Sequence, residues 1–506
     1  MNHHLLSALL TLLLILSAAG LRFHELGTWS FAGDELFTYY ETRIWTGEIQ
    51  AEELNKPSVG NYYDSDTMRL EDSQLARLPR LIPVAYAVHW LNYRLFGTDE
   101  FGARVLMAII GSLNVGLVFL LARPLFGILG ASVLAVFVLF CPEHLFNSQN
   151  VRMYALTYLL ISVVWLLGGH ITQNRSVRAA FWIGPCAILL VLCHSLGGLI
   201  WGGLLLGLAV DYVISRRTNE EKKHPKLLFS LIFLWSLILL GIAFWHILPL
   251  GAGWNTDRTW GYSPIHTLMA VVARIGWPIF LMSLVGGAYA LFRIRELSNA
   301  YWSSVLLGSI GACLILPLVV TFYPWYSFLL TFPFFVLAAR LVGQIRLLPG
   351  ERESFVTVGF NGFVLIIAAA LLNMPGTLSY YRDGNRLDFR SAYQYIAEHT
   401  QDGDGVICPF IGLAEYYLPD RYPIFPLRSQ RKGQYIQETI EQASEKRLWI
   451  VCHSHRGGLE NEMLCWLTDH AVLEAKFGRK RLDHIDNDVY VFLFDPEKTT
   501  GRPREP

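Results

Sequence analysis

The sequence carries little charge. Only 16% of its 506 residues are Asp, Glu, Lys or Arg, whereas soluble domains carry about 25%. The 41 basic and 41 acidic residues cancel, so the chain has no global positive field with which to bind nucleic acid. Hydrophobic residues make up 53% of the chain instead. This composition excludes an ordinary soluble enzyme and predicts many membrane-spanning helices.

Metal and nucleotide motifs are also missing. The seven cysteines are scattered, with no CxxC pair and no zinc spacing. His453 and His455 form a short HxH, but no third ligand is evident nearby. No GxGxxG follows a strand, and neither a Walker motif nor a GxSxG nucleophile elbow occurs. We therefore predict no nucleotide site, and no residue is assigned to a metal. A disulfide among Cys408, Cys452 and Cys465 is left open.

Long apolar runs define the membrane part. The first run ends at Gly20 and is interpreted as an uncleaved span, because no Lys or Arg precedes it as in a signal peptide. Further apolar runs of about 15 to 22 residues each fit a transmembrane helix. With the first they give about eleven spans, of which the later ones are 103–121, 127–141, 152–169, 180–195, 197–214, 227–248, 268–291, 302–321, 327–342 and 354–373.

Basic residues are divided unevenly between the two sets of alternating loops. One set holds twelve Lys or Arg residues, and the opposite set holds only Arg258. Loops rich in Lys and Arg remain in the cytoplasm. We therefore expect a multi-pass inner (plasma) membrane protein with a cytoplasmic N-terminus. The first loop, about 21–102, and everything after residue 373 would face the extracytoplasmic (periplasmic) side.

The chain divides into a transmembrane domain, 1–373, and a soluble extracytoplasmic domain, 374–506. In the second domain, 389–399 and the stretch near 438–445 have helical patterns. Short apolar runs typical of strands alternate with them, at 405–409, 447–452 and 489–494. Such alternation predicts a small α/β domain.

Two adjacent carboxylates stand in the first loop. Asp34 and Glu35 precede an amphipathic pattern of Leu36, Tyr40 and Ile44, which predicts a helix lying on the membrane surface. A carboxylate at the membrane edge can accept a proton from a hydroxyl group. Asp is also a common helix N-cap, and this loop alone does not separate the two roles. A second surface-lying helix is expected in the apolar run that follows residue 78.

Other polar residues collect near the predicted external ends of the spans. Ionisable groups at membrane depth are costly unless they face a cavity or a partner. An external cavity that is acidic at one point and basic at others is therefore predicted. Arginines in such places also snorkel to lipid headgroups, and a histidine can simply bond between helices. The candidates are Arg80, Arg104, His144, Arg152, Tyr154, His194 and Arg258.

Several segments together resemble a known group of membrane enzymes. LRFHELGTWSFAGDELFTYY, NSQNVRMYALTYLL and RLDFRSAYQYIAEHTQDGDGVI are similar to the superfamily C membrane glycosyltransferases. The pattern resembles the dolichyl-phosphate-mannose–protein mannosyltransferase-like family, which includes bacterial lipid A aminoarabinose transferases. The resemblance implies an inverting transfer of sugar from a polyprenyl-phosphate donor to an extracytoplasmic glycan, lipid or protein.

The resemblance also implies roles for individual residues. Asp34 would be the general base with Glu35 beside it, and Arg104, Arg152 and Tyr154 would hold the donor phosphate. The lipid-linked sugar is a substrate, and no cofactor is assigned, although a divalent cation is left open. Three elements depart from the family pattern, which often has His- or Lys-Pro-Pro, an acidic residue and Arg-Tyr-Leu. Here they read Arg80-Leu-Ile-Pro83, Asn150 and Trp325-Tyr326-Ser327.

Three alternatives remain. A polysaccharide polymerase or ligase of the same superfamily would share the same signals. A transporter or flippase of lipid-linked sugars would carry broken helices or inverted repeats, and the sequence shows neither. A non-catalytic scaffold that binds glycan would lose Asp34 without consequence.

Overall fold

A computed structural model gives the fold of the chain. It describes residues 3–31, 33–48, 81–217, 225–244, 263–296, 298–319, 324–344, 355–383, 387–419, 421–427, 433–443, 447–454, 461–478 and 488–496. Arg80 and Arg258, two of the predicted cavity residues, lie outside these ranges.

Helices account for most of the described residues as far as residue 383. Apolar side chains fill most of them, and the breaks between them fall at Gly, Pro and polar residues. In chain order they are α1 His3–Phe23, α2 Gly33–Trp45, α3 Pro83–Phe96, α4 Gly102–Leu139, α5 Pro142–Ser148, α6 Tyr154–Asn174, α7 Val177–Cys193, α8 Gly197–Arg217, α9 Pro225–Ile242, α10 Pro264–Ile275, α11 Trp277–Phe292, α12 Asn299–Val319, a 3₁₀ helix Pro324–Leu330, α13 Phe332–Gly343 and α14 Phe355–Asp383.

The prediction of a polytopic helical membrane protein is confirmed. In the described ranges, seven helices are long and apolar enough to span a membrane, or eight if one bent pair counts as a single span. The count of eleven is not confirmed, because α7 and α9 are shorter apolar helices. The predicted spans 103–121 and 127–141 correspond to the two parts of α4, which a kink separates. Its path breaks at Gly127, where φ is 73°, a value that glycine adopts without strain.

The predicted span 268–291 is not one helix. Helices α10 and α11 meet at Gly276 and are bent by 106°. Gly276 has φ 80°, and Pro278 lies in the first turn of α11, where it cannot continue the hydrogen bonding of a preceding helix. The expectation of unbroken helices was therefore wrong at this position. The apolar run continues across the bend, so hydropathy alone could not reveal it.

Helix α6 is the most enclosed span, with 83% of its most apolar stretch buried. Glycine makes close packing possible there: Cβ atoms at Gly168 and Gly169 would stand 2.1 Å from the Tyr301 hydroxyl oxygen and 2.8 Å from the Trp302 ring. Tyr301 donates to the carbonyl of Trp165 at 2.9 Å. Its polar atom is thus satisfied inside an apolar bundle.

The C-terminal part is a small α/β domain, as predicted. Its strands form one mixed sheet in the order β2-β1-β3-β5-β4. β1 pairs in parallel with β2 and β3, and β5 pairs antiparallel with β3 and β4. The elements are α15 Phe389–His399, β1 Gly405–Cys408, α16 Ile411–Tyr417, β2 Ile424–Pro426, α17 Gly433–Gln442, β3 Leu448–His453, α18 Asn461–His470, β4 Val472–Phe477 and β5 Val489–Phe494.

Helices cover both faces of this sheet. On one face, Ile450 and Phe492 of the strands share a buried core with Ile436 of α17 and Met463 of α18. On the other face, Trp449 of β3 lies 6.2 Å from the ring of Tyr395 in α15. Successive residues of β3 thus alternate between the two faces, as a strand requires.

Contacts divide the chain into two compact units. The transmembrane unit contains Met1–His24, Arg80–Ala85 and Val105–Leu378. The second, which we call the loop unit, contains Glu25–Pro79, Tyr86–Arg104 and Ser379–Pro506. The first loop therefore groups with the C-terminal domain. Our division of the chain at residues 373 and 374 stays a prediction.

Candidate active site

Asp34 is the second residue of α2, within its first turn. The helix predicted after the two carboxylates is therefore present. Its polar side is buried, since Glu35, Thr38, Glu41 and Thr42 are all nearly inaccessible to solvent. An ordinary amphipathic surface helix exposes such residues. The buried polar side indicates that α2 serves a site within the protein.

Glu35 forms a two-point ion pair with Arg104. Arg104 Nε donates to Glu35 Oε1 at 2.9 Å, and Nη2 donates to Oε2 at 2.7 Å. Both side chains have no solvent exposure. This parallel geometry is the strongest arrangement available to an arginine and a carboxylate. In a buried pair of this kind, loss of one partner leaves the other charge without compensation.

Arg104 also holds the chain that leads into α2. Its Nη1 donates to the carbonyls of Leu26 and Trp29 at 3.1 and 2.8 Å, and Nη2 donates to Ser30 at 3.0 Å. With the two bonds to Glu35, all five N–H groups of the guanidinium are used. The predicted contact of Arg104 with a phosphate therefore has no donor left to make it. We assign Arg104 to holding this loop.

Glu41 is a second buried carboxylate in α2, which the sequence analysis missed. It follows Asp34 by seven residues and so lies on the same side of the helix. Its Oε2 accepts a hydrogen bond from the Tyr86 hydroxyl of α3. Asn92 of α3 is also buried and donates to the carbonyls of Gly102 and Ala103 at 3.0 and 2.7 Å. These bonds fix the start of α4 directly before Arg104.

A weak signal for this network is present in the sequence of α3. Tyr86, His89 and Tyr93 recur at i, i+3 and i+7 in a mainly apolar helix, which places them along one side. The polar stripe indicates a partner for α3. It does not identify Glu41 as that partner, because the two helices are far apart in the sequence.

In the transmembrane unit, three predicted cavity residues come together. Arg152 Cζ lies 5.9 Å from the ring centroid of Tyr154, and the ring of Tyr154 lies 6.0 Å from that of His194. Phe328 completes the cluster, 5.0 Å from Tyr154. The structure thus forms a basic, aromatic cluster from three separate segments. A planar guanidinium beside aromatic rings is suited to binding a phosphate.

His144 has a different environment. Its ring lies 3.6 Å from that of Tyr158, measured between centroids. Burial, and secondarily the charge of Arg22, lowers the pKa of His144 well below its ordinary value. The imidazole is therefore neutral at physiological pH and cannot attract a phosphate by charge.

Arg274, in the last turn of α10, was not predicted. Its Nη1 donates to Ser327 Oγ at 3.0 Å, and its Nε lies 3.2 Å from Glu143 Oε2. Ser327 belongs to the element in which the family pattern has an arginine. A guanidinium is thus brought to this element from another helix. No local motif could indicate this pairing, because Arg274 and Ser327 are 53 residues apart.

The described side chains do not fit a metal site. Among them, no group of three or more His, Cys, Asp or Glu residues could hold a metal ion. Glu35, the carboxylate next to Asp34, has both oxygens bonded to Arg104.

The chain is a polytopic membrane protein whose fold is similar to that of solved superfamily C glycosyltransferases, in agreement with the resemblance seen in the sequence. Residues 79–242 match the family model described as dolichyl-phosphate-mannose-protein mannosyltransferase. No curated protein sequence matches the chain significantly.

Solved structures with the same fold include ArnT from Cupriavidus metallidurans. In the apo state it is 13% identical with a TM-score of 0.57, over 95% of this chain and 97% of that one. Bound to undecaprenyl phosphate, it is 12% identical with a TM-score of 0.54, over the same shares of the two chains, 95% and 97%. The Archaeoglobus fulgidus oligosaccharyltransferase, in complex with Zn and sulfate, is 14% identical with a TM-score of 0.50. That match covers 92% of this chain and 71% of that one.

Proposed function

We propose that this protein is an inverting membrane glycosyltransferase. It moves a sugar from a polyprenyl-phosphate donor to an acceptor glycan, lipid or protein on the extracytoplasmic side of the inner membrane. Asp34 is the general base. The superfamily C fold supports this proposal, as does the undecaprenyl phosphate bound by an ArnT of that fold.

One observation carries the assignment of the base. Glu35 is fully buried and both of its oxygens are bonded to Arg104. A carboxylate committed to a buried guanidinium is a poor proton acceptor, because protonation would break the ion pair. Of the two adjacent carboxylates, the role of base therefore falls to Asp34, at the start of α2.

The reaction is a single displacement. The acceptor hydroxyl attacks the anomeric carbon of the donor sugar while Asp34 takes its proton. The bond between that carbon and the phosphate oxygen breaks, and polyprenyl phosphate leaves with the electron pair. Attack from the opposite face inverts the configuration. Arg152, with Tyr154 beside it, compensates the negative charge of the leaving phosphate.

The transporter alternative gains one feature from the structure. The bend at Gly276 is the kind of broken helix that transporters use. A transporter, however, needs no proton acceptor at Asp34. If a substitution at Asp34 abolishes activity while the protein still folds, the result favours an enzyme over a flippase.

The test uses a strain that lacks the gene. If the proposal is right, the lipid-linked donor accumulates in that strain and mass spectrometry of its lipid extract identifies the sugar. The wild-type gene restores the normal pool, and Asp34→Asn, expressed at the same level, does not. Restoration by Asp34→Asn would refute the assignment of the base.

A further inference from the structure

The segment before α2 is bound by the C-terminal domain as well as by Arg104. Arg390 Nη2 donates to the carbonyls of Gly27 and Trp29, both at 3.2 Å. Phe31 N donates to the Tyr417 hydroxyl at 2.8 Å. Residues Gly27–Phe31, which we call the entry segment, therefore depend on two residues more than 350 positions later in the chain.

Ser30 adds a third attachment. Its hydroxyl donates to the carbonyl of Leu387 at 2.6 Å, and the backbone N–H of Phe389 donates to the same hydroxyl at 3.2 Å. The serine thus occupies the N-terminal end of α15. Phe31 also meets Tyr416 edge to face, with ring centroids 5.2 Å apart.

Glu100, in the turn before α4, connects the two C-terminal residues. Its Oε1 accepts from Arg390 Nε at 2.8 Å and from the Tyr417 hydroxyl at 2.9 Å. Burial, followed by the charge of Glu100, raises the pKa of Tyr417, so the phenol stays protonated and remains a donor. Such an ion pair near the surface adds little stability by itself. Its effect lies in the backbone groups that its members hold.

The carbonyl of Trp29 is the point where both sets of contacts meet. It accepts from Arg104 Nη1 at 2.8 Å and from Arg390 Nη2 at 3.2 Å. Arg104 follows Glu100 by four residues. This short stretch of chain therefore supplies both the guanidinium of Arg104, which binds the entry segment, and the carboxylate that pairs with Arg390. Gly27 permits this close packing, because a Cβ there would stand 3.0 Å from Cβ of Phe101.

We propose that the C-terminal domain positions the catalytic loop, with Arg390 and Tyr417 as positioning residues that fix the entry segment and hence Asp34. This inference rests on the proposed function. In this role neither residue needs to touch the substrate. Each sets the course of the backbone that enters α2, where a small displacement of the base is costly to the rate.

The decisive variants are Arg390→Lys and Tyr417→Phe in the full-length, detergent-solubilised protein. Lysine keeps the charge opposite Glu100 but loses the fork of donors, and phenylalanine keeps the ring but loses the hydroxyl. Arg421→Lys and Tyr395→Phe are matched controls from the same domain, because their side chains bond within it.

Three quantities are measured. Hydrogen exchange of peptides covering the entry segment reports its protection. Binding of undecaprenyl phosphate reports affinity for the carrier. Turnover is measured in membranes of the deletion strain, which supply the accumulated donor. We expect exchange to rise about tenfold and turnover to fall about 10- to 100-fold, with carrier affinity unchanged within about twofold and both controls like wild type.

Unchanged exchange, or faster exchange with normal turnover, would overturn the positioning role. A parallel loss of carrier affinity and thermal stability would also overturn it, since that pattern indicates a merely structural residue. Asp34→Asn is included in every series. If it turns over normally, the proposed function fails, while the exchange data still decide whether the C-terminal domain holds the loop.

Discussion

Glu35 and Arg104 meet through two parallel hydrogen bonds of 2.9 and 2.7 Å, and neither side chain reaches solvent. They are separated by 69 residues in the chain. The pair joins the first turn of α2 to the first turn of α4, and through the remaining donors of Arg104 it also fixes the segment before α2. Asp34, the residue proposed as the base, therefore directly precedes a rigidly held residue in the chain.

Breaking this pair should destabilise the loop unit. Glu35→Ala leaves the guanidinium buried without its counter-charge, and we expect a loss of about 3–5 kcal/mol. Arg104→Lys keeps a charge but offers three donors where five are used, and should also be destabilised. Thermal unfolding of the full-length protein in detergent, followed by aggregation or tryptophan fluorescence, measures the change.

The matched control is Arg94→Lys. Arg94 pairs with Glu48 at 3.0 Å, but its side chain is 64% exposed, so its loss should cost less than about 1 kcal/mol. Equal melting temperatures for Glu35→Ala and Arg94→Lys would contradict the assigned role of the buried pair.

Asp34→Asn should be stable but slow. An amide cannot accept the acceptor's proton at neutral pH, so we expect turnover to fall by a factor of roughly 10² to 10⁴. The side chain keeps nearly the same size, and the melting temperature should stay close to that of wild type. Glu48→Gln, at an exposed carboxylate shortly after α2, serves as the control and should keep normal turnover.

Arg152→Lys should weaken binding of the carrier. Lysine retains the positive charge but loses the planar fork and its stacking on Tyr154. We expect affinity for undecaprenyl phosphate to fall about tenfold, as one charge-assisted hydrogen bond is lost. Arg178→Lys, an exposed arginine in α7, is the control. Equal affinities for the two variants would mean that Arg152 does not bind the carrier phosphate.

Orientation of the chain is open to a direct measurement. Reporter proteins fused after Glu221 should show cytoplasmic activity, and those fused after Asp404 should show extracytoplasmic activity. The reason is the excess of Lys and Arg in one set of loops. If both fusions reported the same side, the orientation and the placement of the active site would both be wrong.

The C-terminal cysteines should differ in reactivity. Burial raises the pKa of both Cys408 and Cys452 to about 12, which leaves about a thousandth of the usual thiolate at pH 8. Cys465 is exposed. A maleimide reagent should therefore label Cys465 in the native protein, with Cys408 and Cys452 labelled only after denaturation. All three are free thiols in the structure. If Cys465 were labelled only after a reductant had been added, it would be in a disulfide, and this result would contradict the structure.

Much of the fold could be predicted from local pattern. The alternation of apolar runs gave the strand 489–494 and the helix 389–399 with the bounds that the structure shows. Short or exposed elements were missed: β2 has three residues, and β4 exposes much of its length. Neither presents enough apolar periodicity to stand out from a loop.

The site was only partly predictable for a related reason. The pair Asp34-Glu35 is visible as a motif in the sequence. Which of the two carboxylates is bound in an ion pair depends on Arg104, and no local pattern relates Arg104 to Glu35. The same holds for Arg390, whose partner Glu100 lies 290 residues earlier. Hydropathy also assigned Arg104 to the membrane edge. Only the folded structure shows that its side chain is buried among backbone carbonyls.

The outer edge of the C-terminal sheet has a consequence for the protein in concentrated solution. β4 ends the sheet within the described residues and exposes Val472 and Leu473, both close to half accessible. A straight edge strand with exposed apolar side chains can pair with a strand from another molecule. Here the pairing register shifts between Leu473 and Ala475, and such a bulge bends and twists the strand. An incoming strand would match it over only a few residues, which protects the domain from edge-to-edge fibril growth.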